Sequence, residues 1–110
     1  MEVLNKTFNG SLSFCKCCDT YNLQFNNLYL RLTGPGFRYF CKYLDGIDPE
    51  QQERVNRHID SSRKIYITLQ GESIYFCLTP MELEELKELV RFKRNKNKVN
   101  PAVCQNYPLN

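Results

Sequence analysis

The sequence lacks the residue combinations that most enzymes need. Histidine occurs once, at His58, so a catalytic base would have to be this residue or a carboxylate with a perturbed pKa. The chain contains no Ser-His-Asp order, no glycine-rich phosphate loop and no paired-carboxylate motif. The glutamates between Glu82 and Glu88 are spaced as the solvated face of a helix. These absences predict that the protein is not an enzyme.

Long apolar runs and a signal peptide are also missing. No run approaches the roughly 20 residues that a membrane-spanning helix needs, and the first ten residues lack a basic start and an apolar stretch. We therefore expect a cytoplasmic protein with no membrane partner, in which thiols stay reduced. The six cysteines are then free thiols, metal ligands or buried small residues.

The length and the charge of the chain set the next bounds. A chain of 110 residues buries a single core, and a formal net charge of +3 permits a nucleic-acid partner without requiring one. We expect a single α+β domain over residues 1–94. A basic, flexible C-terminal tail is expected over residues 95–110.

Hydrophobic periodicity predicts two strands and two helices in the first half of the chain. A strand over residues 11–17 precedes a longer strand that ends at Leu32. The apolar residues before and after Asn26-Asn27 have opposite parity, so a β-bulge is expected there to return both sets to the core. A helix capped by Thr33 follows, and then a weaker helix from Asp48 to about Ile59.

The second half repeats this order with clearer signals. A hairpin over residues 64–69 and 73–78 leads into a leucine-rich helix, which begins with a capping box from Thr79 to Glu82. The resulting order, β-β-α-β-β-α, predicts an α+β fold. In that fold a four-stranded antiparallel sheet carries two main helices on one face.

The two halves align with each other at an offset of 46 positions, with Leu28 against Ile74. The segments LYLRLTGPGFRYFCKYL and IYFCLTPMELEELKELV share a tyrosine, a leucine and a threonine, as well as their apolar pattern. This match indicates an internal repeat of a hairpin followed by a helix. Two unrelated strand-to-helix junctions with a threonine cap would align in the same way.

Aromatic and basic side chains are predicted to share the outer face of the sheet. If the aliphatic residues of each strand face the helices, the opposite face carries Tyr29, Arg31, Tyr66 and Tyr75. Tyrosine and arginine are enriched in protein interfaces, and together they also stack bases and hold phosphates. Tyrosine is equally common in half-exposed strands that bind nothing.

The first predicted strand ends in Cys15-Lys16-Cys17-Cys18, which resembles half of a zinc-ribbon knuckle. Cys15 and Cys18 have the C-x-x-C spacing, and Asp19 stands where such knuckles often place glycine. Ordinary reduced thiols are the alternative, since a structural site needs four ligands and the chain has no second C-x-x-C. The remaining ligands would have to come from a second subunit or from four other residues, namely Cys41, Cys77, Cys104 and His58.

The densest positive charge lies at the end of the last predicted helix and beyond it. This run could make non-specific phosphate contacts, or it could simply suit the negative end of the helix dipole and a solvated tail. Its members are Arg91, Lys93, Arg94, Lys96 and Lys98.

The chain resembles a family of small uncharacterised bacterial proteins. The likeness rests on the C-x-x-C at Cys15 and Cys18, the strand LQFNNL from Leu23 and the helix MELEELKEL from Met81, and it covers residues 14–92. The resemblance implies a bacterial, cytosolic, single-domain protein. It implies no activity, cofactor or site residue.

These observations favour a non-enzymatic protein-interaction module. We expect it to associate with a protein partner, or with itself as a homodimer, through the aromatic face of the sheet. The alternatives are a small structural zinc-binding protein built on Cys15 and Cys18, and a weak nucleic-acid-binding protein.

Overall fold

A computed structural model describes residues 1–69 and 74–91 of the chain. The described part contains two sheets and three helices. In chain order the elements are β1 (Glu2–Lys6), β2 (Gly10–Cys15), β3 (Thr20–Phe25), β4 (Leu28–Leu32), α1 (Gly34–Asp45), α2 (Pro49–Val55), β5 (Ile65–Leu69), β6 (Ile74–Leu78) and α3 (Pro80–Val90).

The first four strands form an antiparallel sheet in the order β1-β2-β3-β4. The α+β class and the four-stranded antiparallel sheet are therefore confirmed, with the element order β-β-β-β-α-α-β-β-α. Three of the four strands differ from the expectation. Glu2–Lys6 forms the edge strand β1, and the single long strand expected up to Leu32 is a hairpin of β3 and β4.

Asn26 and Asn27 form the two-residue loop of that hairpin, rather than the expected bulge. Phe25 pairs with Leu28 across the loop, and Asn26 has a φ of 54°, a conformation that asparagine tolerates better than most residues. The chain reversal brings the apolar residues on both sides of the loop to one face of the sheet. The expected common face is correct, but a turn produces it.

Two helices cover this inner face. The Phe37 ring of α1 stacks on Tyr21 of β3 with a centroid distance of 4.4 Å, and Leu83, Leu86 and Leu89 of α3 are fully buried. Helix α3 approaches the sheet closely at Gly10. A Cβ atom on this glycine would lie 2.7 Å from both the Gln24 carbonyl oxygen and Leu89 Cδ2.

Side-chain hydrogen bonds connect α3 to the N-terminal hairpin, which consists of β1 and β2. Glu85 accepts hydrogen bonds from the Asn9 backbone N–H at 2.7 Å and from the Asn9 side-chain amide at 2.8 Å. Burial alone would raise the pKa of Glu85, but the bonds from Thr7 and Asn9 outweigh it and lower that pKa. Glu85 therefore has a structural role in this fold.

The predicted second hairpin is confirmed, but it forms a separate two-stranded sheet. Side chains from the helices occupy the edge of β5 that another strand would otherwise use. The Thr68 amide donates to the Tyr43 hydroxyl at 2.8 Å and the Tyr66 amide donates to Gln52 Oε1 at 3.2 Å. The expected turn at residues 70–72 lies outside the described residues.

The three predicted helix starts are confirmed. Thr33, Asp48 and Thr79 each accept a hydrogen bond from a first-turn backbone amide, and Thr79 with Glu82 forms a complete capping box. Helix α2 ends at Val55 rather than near Ile59. The Asn56 side chain donates to the Lys64 carbonyl at 2.8 Å and so holds the following segment against the start of β5.

The predicted repeat coincides with element boundaries. Moving β4 by 46 positions gives β6, and moving Thr33 by the same amount gives Thr79. Each half contains a hairpin followed by a threonine-capped helix. Within the described ranges, no helix is both long and apolar enough to cross a membrane. The predicted domain boundary at residue 94 and the tail over residues 95–110 fall outside these ranges.

Candidate metal centre

The turn between β2 and β3 gathers three thiols. Cys15 is the last residue of β2, and the chain reverses over the next four residues to begin β3 at Thr20. The Asp19 amide donates to the Cys15 carbonyl at 2.7 Å and closes this turn. Asp19 has a φ of 59°, the left-handed conformation that glycine adopts most easily. The turn folds Cys17 and Cys18 back towards Cys15.

The three sulfur atoms lie within 4.8 Å of one another. Cys15 Sγ and Cys17 Sγ are 3.6 Å apart. Cys15 is half-buried, and Cys17 and Cys18 are exposed. A metal ion can therefore approach from solvent and contact all three sulfurs.

The thiols influence one another's protonation. Hydrogen bonds from the side chain and backbone of Cys18, followed by one from Cys17, lower the pKa of Cys15. Conversely, the hydrogen bond to Cys15 and its charge raise the pKa of Cys18. Cys15 is thus the first of these two thiols to ionise, and the resulting thiolate is a ready metal ligand.

The charges of this cluster affect the pKa of Arg31. Its pKa is raised, first by a hydrogen bond with the Tyr29 side chain and further by the charges of Cys18 and Cys15. Strand register explains the proximity. Arg31 pairs with Asn22, Asn22 pairs with Ser13, and Ser13 lies on the same face of β2 as Cys15.

The structure enlarges the predicted ligand set. The sequence predicts Cys15 and Cys18 as ligands, and the described residues bring Cys17 into the same group. Cys17 lies in the turn that follows β2, so the turn geometry rather than the strand period brings its sulfur to the other two. Cys41, Cys77 and His58 lie outside this group, and Cys104 lies outside the described residues.

The four residues of the predicted interaction face lie on two sheets. Tyr29 and Arg31 are on β4, whereas Tyr66 and Tyr75 are on the second sheet, with ring centroids 5.8 Å apart. Tyr29 and Tyr75 are each 52% exposed. The Tyr29 hydroxyl donates to Asn22 Oδ1 at 2.8 Å, which satisfies this buried amide.

A groove of about 760 Å³ lies beside β4, between that strand, α1 and the second hairpin. Tyr29 and Arg31 line it from the strand, Tyr39 and Tyr43 from α1, and Leu69 and Ile74 from the second hairpin.

The basic run is described at one of its five positions. Arg91 forms an ion pair with Asp45, with an N–O distance of 3.3 Å. This contact links the last turn of α1 to the end of α3. The other four members, Lys93, Arg94, Lys96 and Lys98, lie outside the described residues, and nucleic-acid binding stays a prediction.

The fold and the thiol cluster define a small α+β protein with a candidate metal centre in the turn between β2 and β3. The chain belongs to the Family of unknown function (DUF6686), whose model matches residues 1–107. The resemblance to a small uncharacterised family is thus confirmed, and the match extends further at both ends than residues 14–92. No curated protein and no solved structure is significantly similar to the chain.

Proposed function

We propose that the protein is a non-enzymatic metal-binding protein that holds one zinc ion through Cys15, Cys17 and Cys18. The observation that carries this proposal is the placement of three sulfur atoms within 4.8 Å of one another. A Zn–S bond is about 2.3 Å long, so two thiolates of a tetrahedral site lie about 3.8 Å apart. Small side-chain rotations bring the three sulfurs to that spacing.

The charges around the cluster support the same function. Three thiolates and one Zn²⁺ ion carry a net negative charge, and the nearby guanidinium of Arg31 offsets it. The lowered pKa of Cys15 supplies the first thiolate at a lower pH than an ordinary thiol would. The left-handed turn at Asp19 holds the peptide in the shape that returns Cys18 towards Cys15.

A structural zinc site needs a fourth ligand. Cys41, Cys77 and His58 lie outside the cluster of described ligands, so we assign the fourth position to Cys104 or to a donor from another molecule. Substituting Cys104 by serine distinguishes these two sources. Loss of about tenfold or more in affinity assigns the position to Cys104, and unchanged affinity assigns it to an external donor.

Native mass spectrometry of the reduced protein after addition of Zn²⁺ tests the proposal. We expect one zinc per chain, and a zinc affinity at least about tenfold weaker when Cys15, Cys17 or Cys18 is replaced by serine. Cys41→Ser and Cys77→Ser are the matched controls and should retain the ion. Cobalt titration adds a second readout, because thiolate ligation of Co²⁺ produces intense charge-transfer absorption.

Two results would reject the proposal. One is the absence of bound zinc at stoichiometric metal. The other is a Cys17→Ser variant that binds as tightly as the parent, which would leave a simple C-x-x-C pair. Protein interaction is the second candidate function, and the exposed tyrosines and the groove beside β4 support it.

A further inference from the structure

Strand β4 is the less protected edge of the four-stranded sheet. The opposite edge, β1, has a register shift between Val3 and Asn5 and carries charges at Glu2 and Lys6. Irregularity and charge both discourage pairing with another chain. In contrast, β4 has a regular register along its whole length, no proline and a single charge at Arg31.

In the second sheet, side chains protect the outer edge of β5 from pairing with another strand. The outward amides of β5 are capped by Tyr43 at 2.8 Å and by Gln52 at 3.2 Å. Beside β4 there is instead the groove of about 760 Å³. Within the described part of the chain, an incoming strand can therefore reach the β4 backbone.

The sequence of β4, LYLRL, is symmetric in its pattern about Leu30. We propose that β4 of one chain pairs antiparallel with β4 of a second copy, with the two-fold axis at Leu30. Leu28 then faces Leu32 of the other copy, and Tyr29 faces Arg31. The two four-stranded sheets become one continuous sheet of eight strands. This assignment gives the protein-interaction hypothesis a partner and a register, and it does not depend on bound metal.

This register is complementary in both charge and polarity. Each arginine lies opposite a tyrosine, where a cation–π contact or a hydrogen bond forms, and no arginine faces another arginine. On the inner face, half-buried leucines meet leucines. Tyr39, 71% exposed, and Ile74, 56% exposed, line the same groove and supply apolar surface next to the seam.

Sedimentation equilibrium over a range of protein concentrations measures the association. The parent should dimerise reversibly, with and without a chelator. Tyr29→Arg places arginine opposite Arg31 twice per dimer and should raise the dimer dissociation constant at least about tenfold. The double variant Tyr29→Arg with Arg31→Tyr restores the arginine–tyrosine pairs and should recover the parent constant to within about threefold.

Tyr75→Arg is the matched control, because Tyr75 is as exposed as Tyr29 but lies on the second sheet. It should leave the dissociation constant unchanged. Circular dichroism and urea midpoints show that the variants are folded. A parent that stays monomeric at every concentration overturns the proposal, as does a dimer that Tyr29→Arg leaves intact or that the double variant does not rescue. Loss of dimer on chelation alone would assign the association to the metal centre instead.

Discussion

The two hairpin–helix units of this protein have the same order of elements, but they differ at the edges of their strands. The first unit, β3-β4-α1, belongs to a larger sheet, and no other described strand pairs with the outer edge of β4. The second unit, β5-β6-α3, stands as a two-stranded sheet, and side chains cap the outer amides of β5. The order of hairpin and helix is the same in both units. The difference lies in polar side chains, which cap the outer backbone amides of β5.

The helix starts show the same contrast on a smaller scale. Both Thr33 and Thr79 accept a backbone hydrogen bond at 3.1 Å. In α3, the Glu82 carboxylate accepts a hydrogen bond from the Thr79 backbone amide at 2.9 Å and also pairs with Arg63 at 2.8 Å. The position equivalent to Glu82 in α1 is Gly36, which cannot do either. The second unit therefore has the better-fixed helix start.

Removing the core contact of each helix should produce the largest effect. Phe37 and Leu83 occupy equivalent positions and are both buried. We expect Phe37→Ala to lower the free energy of unfolding by about 3–5 kcal/mol and Leu83→Ala by about 2–5 kcal/mol. Urea denaturation measures both values. A loss below about 1 kcal/mol for either variant would show that its helix does not pack on the shared core.

Substitution of the two threonine N-caps should change the stability less than the core substitutions do. Thr79→Ala breaks a complete capping box and should cost about 1–2 kcal/mol, whereas Thr33→Ala should cost about 0.5–1 kcal/mol. The comparison uses urea midpoints of both variants. Glu84→Gln, on the exposed face of α3, is the control and should change little. Equal losses at the two threonines would contradict the importance of Glu82.

Acid should weaken the second unit at Glu82. Burial alone would raise the pKa of this carboxyl, but hydrogen bonds from Thr79 and Arg63 outweigh it, and the pKa falls below the usual 4.5. A folded-state pKa below the unfolded value gives stability that is present above the unfolded pKa. That stability is lost as the pH falls through the folded pKa.

We expect Glu82→Gln to be less stable than the parent at neutral pH by about 1 kcal/mol or less, and the difference should shrink on acidification below about pH 4.5. Urea unfolding at a series of pH values measures it. Gly36→Gln in the first unit is the comparison, because no carboxylate titrates there. A pH-independent difference between parent and Glu82→Gln would argue against an ionised carboxylate at this cap.

The smallest expected effect concerns the two-residue turn between β3 and β4. Asn26 has a φ of 54°, which glycine adopts without steric cost. Asn26→Gly should therefore raise the stability by about 0.5 kcal/mol, and Asn26→Val should lower it by about 1 kcal/mol or more. Thermal unfolding measures both changes. Asn27→Gly is the control. Stabilisation by Asn27→Gly but not by Asn26→Gly would contradict the left-handed conformation of Asn26.

Local signals in the sequence predict much of this fold. The capping box at Thr79, the hairpin around residues 65–78 and the threonine cap of α1 each depend on neighbouring residues, and all are found. The parity change at Asn26-Asn27 is also a local signal, but both a bulge and a tight turn satisfy it. Only the pairing of Phe25 with Leu28 decides between them.

Long-range pairing accounts for what the sequence does not reveal. Strand β1 has few apolar residues, and its place is set by β2 and by Asn5, which donates to the carbonyls of Glu88 and Leu89. The separation of the second sheet depends on Tyr43 and Gln52, which are distant in sequence from β5. The C-x-x-C spacing in the sequence indicates two members of the thiol cluster, and the third thiol follows from the turn geometry at Asp19.

The bonds that join α3 to the N-terminal hairpin also bear on how the chain folds as it is synthesised. Glu85 bonds to Asn9 across 76 residues, and Asn5 bonds to Glu88 and Leu89 across 83 and 84 residues. The four strands of the first sheet therefore leave the ribosome before the helix that covers them exists. Until α3 emerges, the core that contains Leu12, Phe14 and Leu23 is incomplete, and we expect its exposed apolar surface to favour aggregation of the nascent chain.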